Sequence, residues 1–281
     1  MSHTFIIRAS IVIFLFIFNS NGICKSGPDS KIIPNQPTNC ISKAGSDFKS
    51  VLLAPAHLTQ NNRLFLGSFG AITAGFVYFL DKPINDEMAA DNSDLLKQSA
   101  GNLAEAGKVY DRIGGTIVAF GFTGVMLAGG LAFKNHKMLG TARILAESFI
   151  ITTTITRLGK EVFGRARPYT GKEPSDFNLF KFSHSREYRS YPSGHTSSIF
   201  SMMTVIAKQY PEWWVKYPAY SIGISVALQR LDTRQHWASD VILGGAIGYW
   251  VASVLTSQNS ESANNLSVGF TGNGLALQFN Y

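Results

Sequence analysis

Long apolar runs broken by short polar stretches fill most of the chain, and this pattern predicts helices rather than strands. Residues 64–80 form the first apolar run and read as a helix that stops at Asp81-Lys82-Pro83. Polar residues from Asn85 to Asp111 predict shorter amphipathic helices. Residues 113–133 then run for 21 positions without a charge. As a helix that stretch would be about 31 Å long, enough to cross a bilayer. Its glycines suit close packing in a buried bundle equally well. Further helices are expected at about 139–162, 195–209, 215–230 and 236–257. The first of these carries Arg143 and Glu147 four apart, a spacing for an ion pair. The last carries Gly244 and Gly248, small residues on one face that favour packing.

The two ends differ in kind. Arg8 precedes the apolar run 11–18, and Ser20-Asn21-Gly22 offers small residues for cleavage, so residues 1–22 read as an export signal. An uncleaved anchor is the alternative, and the residues before Cys24 match a lipoprotein signal poorly. Residues 23–60 are rich in Pro, Asn, Ser and Lys and are expected to be poorly ordered. Cys24 and Cys40 are the chain's two cysteines, which excludes a disulfide framework and leaves one bridge open. Residues 61–258 would form one all-α helical domain, and 259–281 a tail of a different sort. There, 266–270 and 275–281 alternate apolar and polar positions around Thr271-Gly272-Asn273-Gly274, the signature of a β-hairpin packed on the helices.

Composition adjusts this picture without settling the environment. The charged fraction is 15%, below the roughly 25% of soluble domains. The mean hydropathy of +0.07 is low for a chain with six full spans. A net charge of +7 favours an anionic partner. The basic residues form no run like a nucleic-acid-binding arm; they gather between Arg157 and Arg189, around Gly and Pro. That distribution suits a compact anion pocket and argues against a nucleic-acid partner.

Three segments carry the chemistry. They are Lys160 to Arg167-Pro168, then Tyr191-Pro192-Ser193-Gly194-His195, then Arg230 to His236 and Asp240. A phosphate ester spreads its negative charge over the non-bridging oxygens. Its cleavage needs cations there, an in-line nucleophile and an acid for the leaving group. Lys160, Arg167 and Arg230 supply the charge, the arginines with planar forks suited to phosphate. Pro168 is expected to end the first helix just after Arg167. The second segment reads as a helix start, where free N–H groups and the dipole favour an anion, with His195 set to give a proton. His236 and Asp240 stand four apart, so on a helix the carboxylate would fix the imidazole tautomer and leave one nitrogen nucleophilic. None of this calls for a metal or another cofactor.

Together the segments resemble the signature of the type-2 phosphatidic acid phosphatase superfamily, which also holds bacterial nonspecific acid phosphatases and vanadium haloperoxidases. The pattern is Lys, six residues, Arg-Pro; Pro-Ser-Gly-His; then Ser-Arg, five residues, His, three residues, Asp. Every spacing is kept here, over roughly residues 60–257; the one departure is Gln229 where the pattern has Ser. The resemblance implies an all-helical core with His236 as nucleophile, His195 as acid and then base, and Asp240 orienting His236. It also implies Lys160, Arg167, Ser193, Gly194 and Arg230 around the phosphate.

The expected function is metal-independent hydrolysis of phosphomonoesters, or of lipid phosphates and diphosphates, through a phosphohistidine. A vanadate-dependent haloperoxidase and a non-catalytic envelope protein on the same scaffold are the alternatives. The export signal implies a periplasmic or envelope location with the site facing the periplasm, and the apolar helices leave membrane association open. Arg157, Arg165, Arg186 and Arg234 are expected to be solvated charges, and His184 a surface histidine. Trp213, Trp214 and Tyr217 fit a membrane interface, core packing or a loop anchor.

Overall fold

The computed structural model of the protein describes residues 45–49, 51, 70–89, 104–180, 182, 185–264, 266–271 and 274–279. The export signal, Cys24, Cys40, most of 23–60 and His184 lie outside the described residues. The described helices are α1 (70–89), α2 (Glu105–Ile113), α3 (Gly115–Ala132), α4 (His136–Phe163), α5 (Gly194–Gln209), α6 (Trp213–Asp232) and α7 (Ala238–Asn264). The domain is all-α. Beyond it, the backbone of β1 (Leu266–Thr271) pairs antiparallel with that of β2 (Gly274–Phe279), Leu266 opposite Phe279. How the side chains of this tail pack lies outside the described residues.

α1 departs from the expected stop at Asp81. The helix continues through Pro83 to Ala89 after a π-wound stretch at Phe76–Leu80, where the Asp81 N–H reaches back to the Phe76 carbonyl. A proline inside a helix lacks a donor and crowds the preceding turn; the wider winding upstream gives that turn room. Asp81 therefore points inward from mid-helix and is fully buried.

α5 is the central element, packed on α4, α6 and α7. It can be central because its buried positions are small: Thr196, Ser197, Ser201 and Thr204 accompany Ile199, Met202, Met203 and Val205. α7 comes closest of all. A Cβ at Gly248 would stand 2.2 Å from the Ser197 carbonyl oxygen, and one at Gly244 would stand 2.6 Å from that of Ser193. The small-residue face of α7 is thus a packing face. Around α5 the core is completed by Tyr110, Ile144, Leu145, Ile151, Val226, Val251 and Leu255. Arg143 and Glu147 do pair, at 3.2 Å, and Asp47 joins them at 3.1 Å from Arg143.

α3 behaves differently from the core helices. It is long and apolar enough to cross a membrane, as are α4 and the Ala238–Ser257 part of α7, yet only 17% of α3 is buried within the protein. Its apolar surface is left facing outward, as are Trp213, Trp214 and Tyr217, each at least 60% exposed. Core packing does not account for those three aromatics.

Candidate active site

All three segments reach one end of the bundle. Lys160 stands in the last turn of α4, Gly194 and His195 open α5, Arg230 lies in the last turn of α6, and Asp240 sits in the first turn of α7.

Lys160 Nζ donates to the carbonyl oxygens of Arg189 (2.7 Å) and Ser190 (3.2 Å). Its Cε lies 3.6 Å from where a Cβ at Gly194 would be. α4 ends at Phe163, ahead of the expected stop at Pro168, because Gly164 turns left-handed at φ 52°. A side chain there would meet the Asn178 carbonyl oxygen at 2.4 Å. Arg167 follows in extended backbone, with Nη1 donating to Gln235 Oε1 at 2.6 Å. Its Nε is buried and has no hydrogen-bond partner among the described residues. A buried orphan donor on a cation, among other cations, is suited to an anion. Burial, with the charges of Arg186 and Arg230, lowers the proton affinity of this guanidinium.

His236 is not on the helix face that its spacing implied. α7 begins only at Ala238, because Asp240 Oδ2 accepts the Trp237 N–H at 2.9 Å and closes the helix start around itself. The imidazole still arrives beside the carboxylate, with Nδ1 3.4 Å from Asp240 Oδ2. Ser190 Oγ donates to that same oxygen and lies 3.4 Å from Nδ1. With Nδ1 turned to this pair, Nε2 is the nitrogen left for chemistry. Burial pushes the His236 pKa down to about 3, opposed by Asp240 and reinforced by the charges of Lys160 and Arg167.

Behind Asp240 stands a residue expected to be solvated. Arg165 is wholly buried. Its Nη1 donates to Asp240 Oδ1 at 2.5 Å and Ser239 Oγ at 2.7 Å, its Nη2 to Asp81 Oδ2 at 2.7 Å, and its Nε to the Pro174 carbonyl at 2.8 Å. The rings of Phe177, Tyr191 and Trp237 flank the guanidinium. Asp81 also accepts the Ser239 N–H at 2.8 Å, and burial raises its proton affinity. The sequence disguises this role: Arg165 lies two residues before Arg167, in the loop that Gly164 opens, and looks like one more charge in a basic cluster. Arg157 and Arg186 are exposed as expected, while Arg234 is half-buried against Asn85 and the Pro168 carbonyl.

The other side of the site is built around Asp111. Its Oδ1 lies 2.8 Å from Arg230 Nη2 and 3.4 Å from His195 Nε2. Arg230 also donates from Nε and Nη2 to Gln229 Oε1, so the residue that departs from the resemblance holds the arginine in place. Burial and the Arg230 charge depress the His195 pKa to about 4, against the pull of Asp111. Burial works to raise the Asp111 carboxyl, but Arg230 and His195 hold it below its usual range. Ser193 precedes α5; its N–H donates to the Asp240 carbonyl at 3.0 Å, and its hydroxyl lies 2.9 Å from Thr196 Oγ1. Lys160, Arg167, Ser193, Gly194, His195, Arg230, His236 and Asp240 are thus gathered in one region. Asp81, Asp111 and Ser190 join them from outside the recognised motifs. Ser190 directly precedes the second segment and was open to suspicion; no spacing ties Asp81 or Asp111 to the others. Among the described residues no group of His, Cys, Asp and Glu has the makings of a metal site.

Comparison with known proteins bears on the same helices. The model of the PAP2 superfamily matches residues 141–263. A lipid A 1-phosphatase of Rhizobium etli is 30% identical over 136 residues, covering 44% of this chain and 57% of that protein. An undecaprenyl-diphosphatase of Sulfolobus acidocaldarius is 25% identical over 123 residues, covering 43% of this chain and 56% of that one. The chain thus spans little more than half the length of these relatives. The crystal structure of Aquifex aeolicus LpxE overlaps 63% of this chain and 95% of its own at 19% identity, with a TM-score of 0.45, too loose a likeness to build on. Matched family model and motif spacing coincide on α4 to α7, so over residues 141–263 the chain is similar to the PAP2 superfamily.

Proposed function

We propose that the protein is a metal-independent phosphatase that hydrolyses lipid-linked phosphate esters through a phosphohistidine at His236. The observation that carries this is the convergence of Lys160, Arg167 and Arg230 on two imidazoles: beneath the larger effect of burial, all three charges lower the His195 pKa, and Lys160 and Arg167 also lower that of His236. Such a cluster is costly without an anion to offset it, and a phosphate di-anion supplies the offset.

In the proposed mechanism the three cations and the N–H groups at the start of α5 hold the non-bridging oxygens. His236 Nε2 attacks phosphorus in line while Asp240 and Ser190 hold Nδ1. The P–O bond to the alcohol breaks, and His195, protonated once the bound di-anion raises its proton affinity, gives its proton to the departing oxygen. A water then attacks the phosphohistidine, losing its proton to His195; inorganic phosphate leaves and both histidines are restored.

Lipid-linked substrates are favoured by three helices able to cross a membrane and by the outward apolar surface of α3. Site residues share one end of the bundle, as a site working at a membrane–water boundary would require. Trp213 lies 17 residues before Arg230 on α6, roughly 26 Å away along the axis. The exposed aromatics there fit the opposite boundary. The relatives are named for lipid A and undecaprenyl diphosphate, both lipids with phosphate groups. The export pattern of residues 1–22 would turn the site end toward the periplasm.

The test is hydrolysis of phosphatidate and of p-nitrophenyl phosphate by the purified protein in EDTA. The expected result is turnover of both, inhibition by vanadate, and an acid-labile phosphoprotein with labelled substrate that is missing in His236→Ala. Undiminished turnover in that variant would overturn the mechanism, and activity that appears only after a divalent metal is added would overturn metal independence.

A further inference from the structure

α6 and α7 both lean on α5 but scarcely meet each other. The gap between them is a groove of about 370 Å³, open along one side and almost wholly apolar. Phe200 of α5 forms part of its lining. That ring has room because both facing helices present glycines: a Cβ at Gly223 would come within 3.2 Å of it and one at Gly245 within 3.7 Å. Ala227 lines the α6 side, and Ile242, Gly245, Ala246 and Tyr249 line the α7 side.

The groove starts where the anion site ends. Its uppermost lining residues are Thr196 and Val241, the immediate neighbours of His195 and Asp240, and Thr196 Oγ1 is 2.9 Å from the Ser193 hydroxyl. From Val241 to Tyr249 it descends α7 for eight residues, about 12 Å. One wall is the membrane-capable part of α7, and Tyr249 at the far end is 48% exposed, so the open side faces outward from the bundle.

We propose that this groove is the subsite for a hydrocarbon chain of the substrate, acyl or prenyl, entering sideways from the membrane with its phosphate delivered to the site above. The inference rests on the phosphatase function proposed above. A surrounding bilayer is as apolar as the groove, so transfer from lipid brings little hydrophobic gain. Selectivity would come from shape: Ala227 and Ala246 are small residues on the two walls, and bulk added there would narrow the groove.

The experiment compares wild type with Gly245→Leu and Ala246→Leu on n-alkyl phosphates from butyl to hexadecyl, at one fixed mole fraction in detergent micelles. Position 245 admits a side chain, since its Cβ would meet Phe200 only at ordinary contact distance. The wild type is expected to prefer the long chains in kcat/KM. Each variant should lower the long-to-short ratio by about tenfold or more, in line with the cost of overpacking a filled site. An unchanged ratio in both variants would overturn the groove and assign any chain preference to micelle partition. A wild type inactive on every ester would instead overturn the phosphatase proposal. A second measurement does not depend on the variants folding: a long-chain alkyl phosphate with a photoreactive terminus should label the wild type between residues 241 and 249 or at Phe200. Labelling confined to the outer face of α3 would count against the proposal.

Discussion

The two histidines lie at the same end of the bundle, both within reach of the Lys160 and Arg167 charges, and differ in nearly everything else around them. His236 is 4% exposed and backs onto a continuous buried network, from Asp240 through Arg165 to Asp81 and Ser239. His195 keeps 39% of its side chain exposed and is met by Asp111, itself 42% exposed. On the proposed roles the contrast has a physical sense. A nucleophile must be held in one position before reaction, since a misplacement of about 1 Å costs on the order of a hundredfold. A proton donor must meet leaving groups of varied shape and exchange its proton with water, which a sealed ring cannot do. The rigid half is also the half whose supporting charges are deepest.

That contrast can be broken in order of expected effect. His236→Ala should lower kcat by about 10⁴-fold or more, by analogy with loss of a covalent nucleophile, whereas His195→Ala should cost about 10²- to 10⁴-fold; steady-state rates on p-nitrophenyl phosphate would show it. Equal, modest losses in both would end the distinction. Next comes Arg165→Met, which leaves Asp81 and Asp240 without their shared cation. We expect about 3–5 kcal/mol of lost stability by thermal unfolding in detergent, partly recovered when Asp81→Asn is added.

Asp111→Asn should act on the open half alone. Asp111 favours the charged imidazole, so its loss lowers the His195 pKa further. The basic limb of the kcat profile should then shift to lower pH and kcat should fall by about tenfold, a modest share of a general acid's contribution. The same change made in His195→Ala should have little effect, which separates positioning from simple structural damage. Gln229→Ser, which restores the residue of the resemblance, removes one hydrogen-bond acceptor from Arg230 while Asp111 remains. A loss of about 1 kcal/mol predicts about a fivefold rise in KM.

The pKa shifts carry one more expectation. Both histidines are held below the ordinary value of about 6.5, His236 to about 3 and His195 to about 4. The unfolded chain therefore binds protons that the folded one refuses. Stability from these groups is intact above about pH 6.5 and declines as the pH falls toward the folded values. Denaturant midpoints measured across that window should fall with pH, and His236→Gln should flatten the decline.

The sequence by itself determined the helical class, the approximate helices and the three segments that meet at the site. Apolar periodicity is local, and the motif spacings are short, so both survive without knowledge of the fold. The ends of elements were less legible. Asp81-Lys82-Pro83 looks like a stop, but the π winding at Phe76–Leu80 carries α1 through it. His236 and Asp240 look like one helix face, but the Trp237 N–H bond to Asp240 starts the helix after the histidine. What only the tertiary structure decided is which charges meet and how much water each loses. Arg165, Asp81 and Asp111 carry no mark in the sequence, because the worth of a charge depends on the water it loses and the partner it meets. Those partners lie 84, 75 and 119 positions away along the chain, for Arg165 with Asp81, Arg165 with Asp240, and Asp111 with Arg230.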